Sequence, residues 1–270
     1  MEEGCTRGDF VRRRMRPFVG SHWTLWVLGL LIVAQLAINW SWLSTNVNVL
    51  GWDRPRHLIE SLVYNDILRQ VDLRSLFTAL TYSGYYPPLF HVSMVAFYKI
   101  FGVSMDVAAM VNTVYLAVLL ISAYGIGREI GGRGVGILAA FITSSLPMVF
   151  AMSRYTYIEF ALTAMVALSI WLLLLSRGFT SKRYSLLFGL SVGLGLLTKW
   201  TFSLFVFPAL MIVLLRAGSL SGLRKGVHSF SLEKRWFAVS VGVGLLLTLS
   251  WYLPNVQRVS ELSLNVLLVP

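Results

Sequence analysis

Uncharged, mostly apolar stretches of roughly fifteen to twenty residues recur along the chain, and each is read as a helix that crosses a lipid bilayer. They run from Trp23 to Trp42, Val107 to Gly127, Gly134 to Met152, Ile158 to Ser176, Tyr184 to Thr198, Thr201 to Leu215 and Trp236 to Leu253. A hydrocarbon core about 30 Å thick and a helical rise of about 1.5 Å per residue set the need at about 20 residues per crossing. The runs are continuous rather than alternating, which excludes a water-filled β-barrel. A shorter stretch, Leu89 to Phe101, follows Pro87 and Pro88 and carries His91 and Lys99, so it is read as interfacial. The pattern predicts an all-α, polytopic membrane helical bundle of about seven transmembrane helices, with amphipathic surface helices in the first outer loop. No internal repeat and no low-complexity segment interrupts it.

Composition agrees. Of 270 residues, 56% are hydrophobic and 13% charged, against about 25% charged in an ordinary soluble chain. A single cysteine, Cys5, excludes a disulfide framework and a cysteine-based metal site. The net charge of +11 is tested first against the bias that keeps Lys and Arg in cytoplasmic loops. If Leu89–Phe101 does not cross, the cytoplasmic side collects Arg7, Arg12, Arg13, Arg14, Arg16, Arg128, Arg133, Arg177, Lys182, Arg183, Arg216, Arg224, Lys225, Lys234 and Arg235, most of the chain's 23 basic residues. If it crosses, every later loop inverts and the bias is lost. The N-terminus is therefore expected in the cytoplasm and the C-terminus outside. Basic loops against an anionic leaflet account for the charge, so membrane lipids rather than nucleic acid are the expected partner.

This orientation places four pieces on the outer face: the loop 44–88, the turn from Ser153 to Glu159, the turn at Lys199, and the tail after Leu253. In the loop, Leu58, Ile59, Leu62, Val63 and Ile67 fall on one side of a helical wheel and Glu60, Ser61, Tyr64 and Asn65 on the other, as in a helix lying on a membrane surface. Asp53 stands at its start with His57 four residues on, a spacing that lets the two share a face. Asp53 either caps the helix, with His57 facing water, or serves as a general base with His57 as partner or ligand. Arg154 and Glu159 are either helix-end flanking charges or an arginine suited to phosphate beside a second carboxylate. Lys199 follows Gly189, Gly193 and Gly195, whose small faces allow close helix approach; it is an interfacial anchor or an ammonium for a lipid phosphate. Tyr85, Tyr86, Pro87 and Pro88 form an aromatic and proline turn on the same face. His22 and His228 have no evident partner, and His91, near the outer face, either approaches the site or, as the favoured reading, is a polar residue of an interfacial helix.

The order of these motifs resembles the polyprenyl-phosphate-sugar-dependent glycosyltransferases of the GT-C superfamily, nearest to protein O-mannosyltransferases and lipid A aminoarabinose transferases. The resemblance rests on an acidic residue after the first span, a Tyr-Pro-Pro-Leu segment, a second acidic turn and a Gly-Leu-Gly-Leu-Leu-Thr-Lys helix end, covering about Gly51 to Phe207. Trp251, Tyr252, Leu253, Pro254 and Asn255 add to it.

The resemblance implies an inverting transfer of a sugar from a polyprenyl-phosphate donor to a glycan, lipid or protein acceptor outside the cytoplasm, at a plasma membrane. Asp53 matches the family's catalytic base, Glu159 the second-loop acid, and Lys199 the lysine on the donor phosphate. Arg154, His57 and Tyr86 are further substrate-binding candidates. The cofactor is unknown; a divalent metal on Asp53, Glu159 and His57 is left open, because family members often carry Asp-Glu where this chain has Asp53 followed by Arg54. The expected organisation is a basic cytoplasmic N-terminus (1–22), a catalytic transmembrane core (23–215), a basic cytoplasmic loop (216–235), and a last span with outer tail (236–270). Relatives have eleven or more spans, so this chain is expected to be incomplete relative to them. The alternatives are a non-catalytic membrane scaffold, and a lipid or sugar transporter, which calls for midplane charge and a repeated half that the sequence lacks.

Overall fold

The computed structural model describes residues 23–46, 51, 53–82, 84, 86–219 and 233–261. The basic N-terminus with His22, Trp52, Tyr85, most of the 216–235 loop with His228, and the end of the tail lie outside the described residues. The described elements form an all-α chain: α1 (Trp23–Thr45), α2 (Arg54–Ile67), α3 (Leu73–Thr81), α4 (Leu89–Phe101), α5 (Met105–Gly131), α6 (Arg133–Ser145), α7 (Pro147–Met152), α8 (Ile158–Ser176), α9 (Lys182–Leu196), α10 (Phe202–Ser219) and α11 (Lys234–Tyr252).

Four of these, α1, α5, α8 and α11, are long and apolar enough to cross a membrane; α4, α6 and Phe202–Leu215 of α10 are apolar but shorter. The stretch from Gly134 to Met152 reads as one run by hydropathy, yet Pro147 divides it. Proline disfavours the helical backbone in the residue before it, and Leu146 is accordingly extended at φ −64°, ψ 125°. The 13 residues of α6 rise about 20 Å, less than the hydrocarbon core.

Helix α5 packs against α1, α4, α6 and α8, while α9 lies against α8 and α11. Small residues make the tightest contacts possible. A Cβ on Gly189 of α9 would stand 2.3 Å from the carbonyl oxygen of Ser240 on α11, and one on Gly127 of α5 would stand 2.9 Å from the Cα of Gly136 on α6. Phe90 and Met94, Leu116 and Leu120, and Ile158 and Ala161 form the buried centre where α4, α5 and α8 meet.

The outer pieces expected from the sequence gather at one end of the bundle. The N–H of Leu89 donates to the Leu197 carbonyl at 2.9 Å, joining the start of α4 to the end of α9. Trp251 Nε1 donates to the Tyr82 carbonyl at 3.3 Å, the Tyr252 hydroxyl to the Leu196 carbonyl at 3.1 Å, and Asn255 Nδ2 to the Leu80 carbonyl at 3.3 Å. The opposite end holds Lys182 over the Trp236 ring and the Glu233 N–H on the Gly178 carbonyl.

The amphipathic helix is present as α2, but its polar side does not face water. Arg54, His57, Glu60, Ser61 and Tyr64 are buried, whereas Ile59 and Leu62 are 62% and 45% exposed. Partners inside explain the choice of face. Ser61 Oγ pairs with the Tyr98 hydroxyl of α4 at 2.9 Å, and the two histidines of α2 and α4 meet. For a chain bounded by lipid, an apolar outward face costs nothing, and buried polar groups need only be satisfied by one another.

Candidate active site

Asp53 occupies the N-cap position of α2, with Pro55 in the first turn, but its side chain makes no capping hydrogen bond. The carboxylate is therefore not engaged as a helix cap. The adjacent Arg54 turns inward. Its Nε donates to the Gly51 carbonyl at 3.2 Å, and its guanidinium lies 4.4 Å from the centre of the Tyr155 ring and 5.6 Å from that of Tyr157. That stack fastens the start of α2 to the turn that carries Glu159. Sequence reasoning missed it; the available signal was an arginine and a Tyr-Thr-Tyr segment expected on one face.

Glu159 lies in the first turn of α8, where a carboxylate is favoured by the unpaired N–H groups of the helix start. Lys199 follows the end of α9. Its Nζ donates to Glu159 Oε1 at 2.7 Å and lies 5.4 Å from the centre of the Tyr86 ring. The Leu89–Leu197 backbone bond brings the Tyr86-Pro87-Pro88 turn to this place. Lys199, Glu159 and Tyr86 are thus brought together from three separate segments.

His57 touches the same tyrosine, ring centre to ring centre at 5.0 Å. Its Nδ1 is 3.1 Å from Nε2 of His91, which is fully buried on α4 and thus does approach this cluster. The same Nε2 is 3.6 Å from Glu60 Oε2. Burial holds the His57 imidazole down at about 4, outweighing the pull of the Glu159 and Asp53 carboxylates, while Lys199 and Arg56 add to the lowering. The imidazole is therefore neutral at ordinary pH.

Arg154, expected as a companion of Lys199, sits toward α1 instead. Its Nε donates to Asn39 Oδ1 at 2.9 Å, and its guanidinium lies 3.6 Å from the centre of the Phe150 ring. Asn39 also donates to Ser153 Oγ at 3.0 Å. Asn112, a buried amide on α5, donates to the carbonyls of Tyr155 and Tyr157 and holds the other side of this turn. Neither asparagine stands out in the sequence as more than a polar interruption of a span.

Among the described residues no three His, Cys, Asp or Glu side chains are grouped to hold a metal ion. Asp53, Glu159 and His57 therefore do not come together as a ligand set in this arrangement.

A family model described as dolichyl-phosphate-mannose-protein mannosyltransferase matches residues 86–251, more than half of the chain. The matched segment contains Tyr86, His91, Glu159 and Lys199, and α2 with Asp53 and His57 precedes it. No curated protein and no solved structure matches the chain.

Proposed function

We propose that this chain, which belongs to the dolichyl-phosphate-mannose-protein mannosyltransferase family and is a membrane glycosyltransferase of the GT-C type, moves a sugar from a polyprenyl-phosphate donor to a hydroxyl or amine acceptor on a glycan, lipid or protein. The observation that carries this reading is the Lys199–Glu159 pair beside Tyr86 and His57, at the end of the bundle where Asp53 begins α2.

Asp53 takes the proton from the acceptor as its oxygen or nitrogen attacks the anomeric carbon. The carbon–oxygen bond to the phosphate breaks, its electron pair leaves with the phosphate, and the configuration inverts. Glu159 holds the head of Lys199. An ammonium has three N–H donors, so two remain for phosphate oxygens as their charge grows. Such a fixed donor contributes about 2.7–4 kcal/mol to the transition state. Arg54, Arg154 and Asn112 keep the two outer segments in register, with Arg154 acting through the turn rather than on the phosphate.

The donor's prenyl chain needs an apolar seat continuous with Lys199. A cavity of about 220 Å³ among α9, α10 and α11, lined by Phe188, Val192, Leu196, Phe202, Val206 and Leu245, suits it, and Leu196 and Phe202 flank Lys199 in the chain. We place the chain in a plasma membrane, and the charge bias of its loops supports residues 1–22 inside and the site on the outer face. Residues 23–215 then form the catalytic core, and the chain acts alone or with a complementary segment.

The test is incubation of the purified chain in lipid nanodiscs with radiolabelled prenyl-phosphate mannose and a panel of hydroxyl acceptors. Saturable donor binding and an inverted product are expected. Absence of donor binding, or a product of retained configuration, overturns the reading.

A further inference from the structure

We propose that Arg154 belongs to a second binding site, a groove beside the end of α1 that takes the phosphate of an anionic phospholipid from the outer leaflet. The site is separate from the Lys199–Glu159 pair and does not rest on the glycosyltransferase reading.

Arg154 is only 8% exposed, and among the described residues it makes no ion pair. Its Nε donates to Asn39 Oδ1 at 2.9 Å, whereas Nη2 is buried with no hydrogen-bond partner among those residues. A guanidinium has five N–H donors, so a single contact leaves most of them unmet. The Phe150 ring, 3.6 Å from Cζ, offers an aromatic face but no anion. Burial pushes the guanidinium down from its ordinary value, yet an arginine keeps its proton. A buried cation without an anion is costly, and a ligand that brings one is favoured by the same amount.

Arg154 lines a groove of about 530 Å³ between α1 and α7. Ala37, Ile38 and Phe150 make its apolar part, and Ser41, Thr45 and Asn46 follow toward the end of α1. That order matches a lipid lying across the membrane boundary. Its chains rest on Ala37 and the 45%-exposed Ile38, and its head meets the hydroxyls and the guanidinium. Inorganic phosphate would gain the arginine and leave the apolar part empty. No carboxylate lines the groove to receive a choline or ethanolamine cation, so an anionic head is preferred to a zwitterionic one.

The neighbours of Arg154 tie this groove to the turn that carries Glu159. Ser153 bonds to Asn39 of α1, and the Tyr155 ring meets that of Trp42, centres 5.2 Å apart, while also carrying the Arg54 stack. A lipid in the groove therefore braces the turn from the α1 side.

Native mass spectrometry of the purified full chain in detergent, titrated with phosphatidylglycerol, reads the affinity of the tightest lipid site. Arg154→Gln keeps a donor for Asn39 and loses the cation, and Ser41→Phe fills the groove while leaving Arg154 in place. Arg154→Gln is expected to weaken that site by about tenfold to a hundredfold, the loss of a hydrogen bond to a charged group, and Ser41→Phe to weaken it at least as far. The basic loops hold further lipids equally in all three chains. Wild-type affinity in either variant overturns the site: in Arg154→Gln it removes the cation, and in Ser41→Phe it places the arginine's effect in the fold rather than the groove. Phosphatidylcholine bound as tightly as phosphatidylglycerol overturns the anionic head, and displacement of the lipid by millimolar inorganic phosphate overturns a lipid as the occupant. No sugar donor or acceptor enters the measurement, so its outcome stands apart from that of any transfer assay.

Discussion

Replacing Lys199 by glutamine separates what the ammonium does for the fold from what it does for transfer. At 2.7 Å from Glu159, a pair of unit charges attracts by about 6 kcal/mol at an effective dielectric of about 20, before desolvation is counted. The lysine side chain is 18% exposed and the glutamate 40%, so water screens one partner and burial penalises the other. What survives is about 1–3 kcal/mol, the range of a charged hydrogen bond. Glutamine keeps a donor for Glu159 and loses the charge, so stability should fall by about 1 kcal/mol. Transfer should suffer more. Losing one donor to the departing phosphate costs about 2.7–4 kcal/mol, a drop of about 10²–10³ in kcat. Lys199→Arg keeps the charge on a longer, planar head and should fall between the two. Single-turnover release of prenyl phosphate in nanodiscs, normalised to folded protein, measures the effect. A Lys199→Gln rate within about threefold of wild type, less than 1 kcal/mol of barrier, would refute the assignment of the phosphate to Lys199.

Arg54→Ala removes the stack on Tyr155, a cation–π contact of about 0.5–2 kcal/mol, and should lower transfer about tenfold while leaving donor binding intact, as read by separate binding and rate assays. Gly189→Val forces a side chain toward the Ser240 carbonyl; overpacking should cost about 1–3 kcal/mol, seen as a lower unfolding temperature in detergent. The folded chain holds His57 neutral down to about pH 4, whereas the unfolded chain protonates it near 6.5. The unfolded state therefore binds more protons in this window. Stability attributable to His57 is complete above about 6.5 and declines as pH falls toward about 4. Thermal unfolding from pH 7 to 4 should show part of this decline missing in His57→Gln; identical pH profiles would contradict it.

The sequence made the class of fold legible because continuous apolar runs have few alternatives, and it pointed to Asp53, Glu159 and Lys199 because charged residues at span ends are sparse. The contacts of Lys199 and His57 with Tyr86 were not legible. They depend on the Leu89–Leu197 bond and on the Arg54 stack, both between segments far apart in the chain. The wheel separated the two faces of α2, with Ile59 and Leu62 outward, but it could not show that the polar face is buried against other helices, because the partners of His57 and Ser61 lie on α4. Hydropathy alone passed over Pro147, whose effect lies in backbone geometry rather than polarity. His91 looked like an interfacial polar residue because its partners, His57 and Glu60, lie on another helix.

The most direct measurement of the central claim is donor binding and sugar transfer by Asp53→Asn, side by side in one nanodisc preparation. The amide is nearly isosteric and makes no capping bond in the native position, so insertion, folding and affinity for prenyl-phosphate sugar should match wild type. Transfer should fall by about 10²–10⁴, the contribution of a positioned general base. Wild-type transfer by this variant would contradict Asp53 as base, and loss of donor binding along with transfer would contradict the division of labour between Asp53 and Lys199.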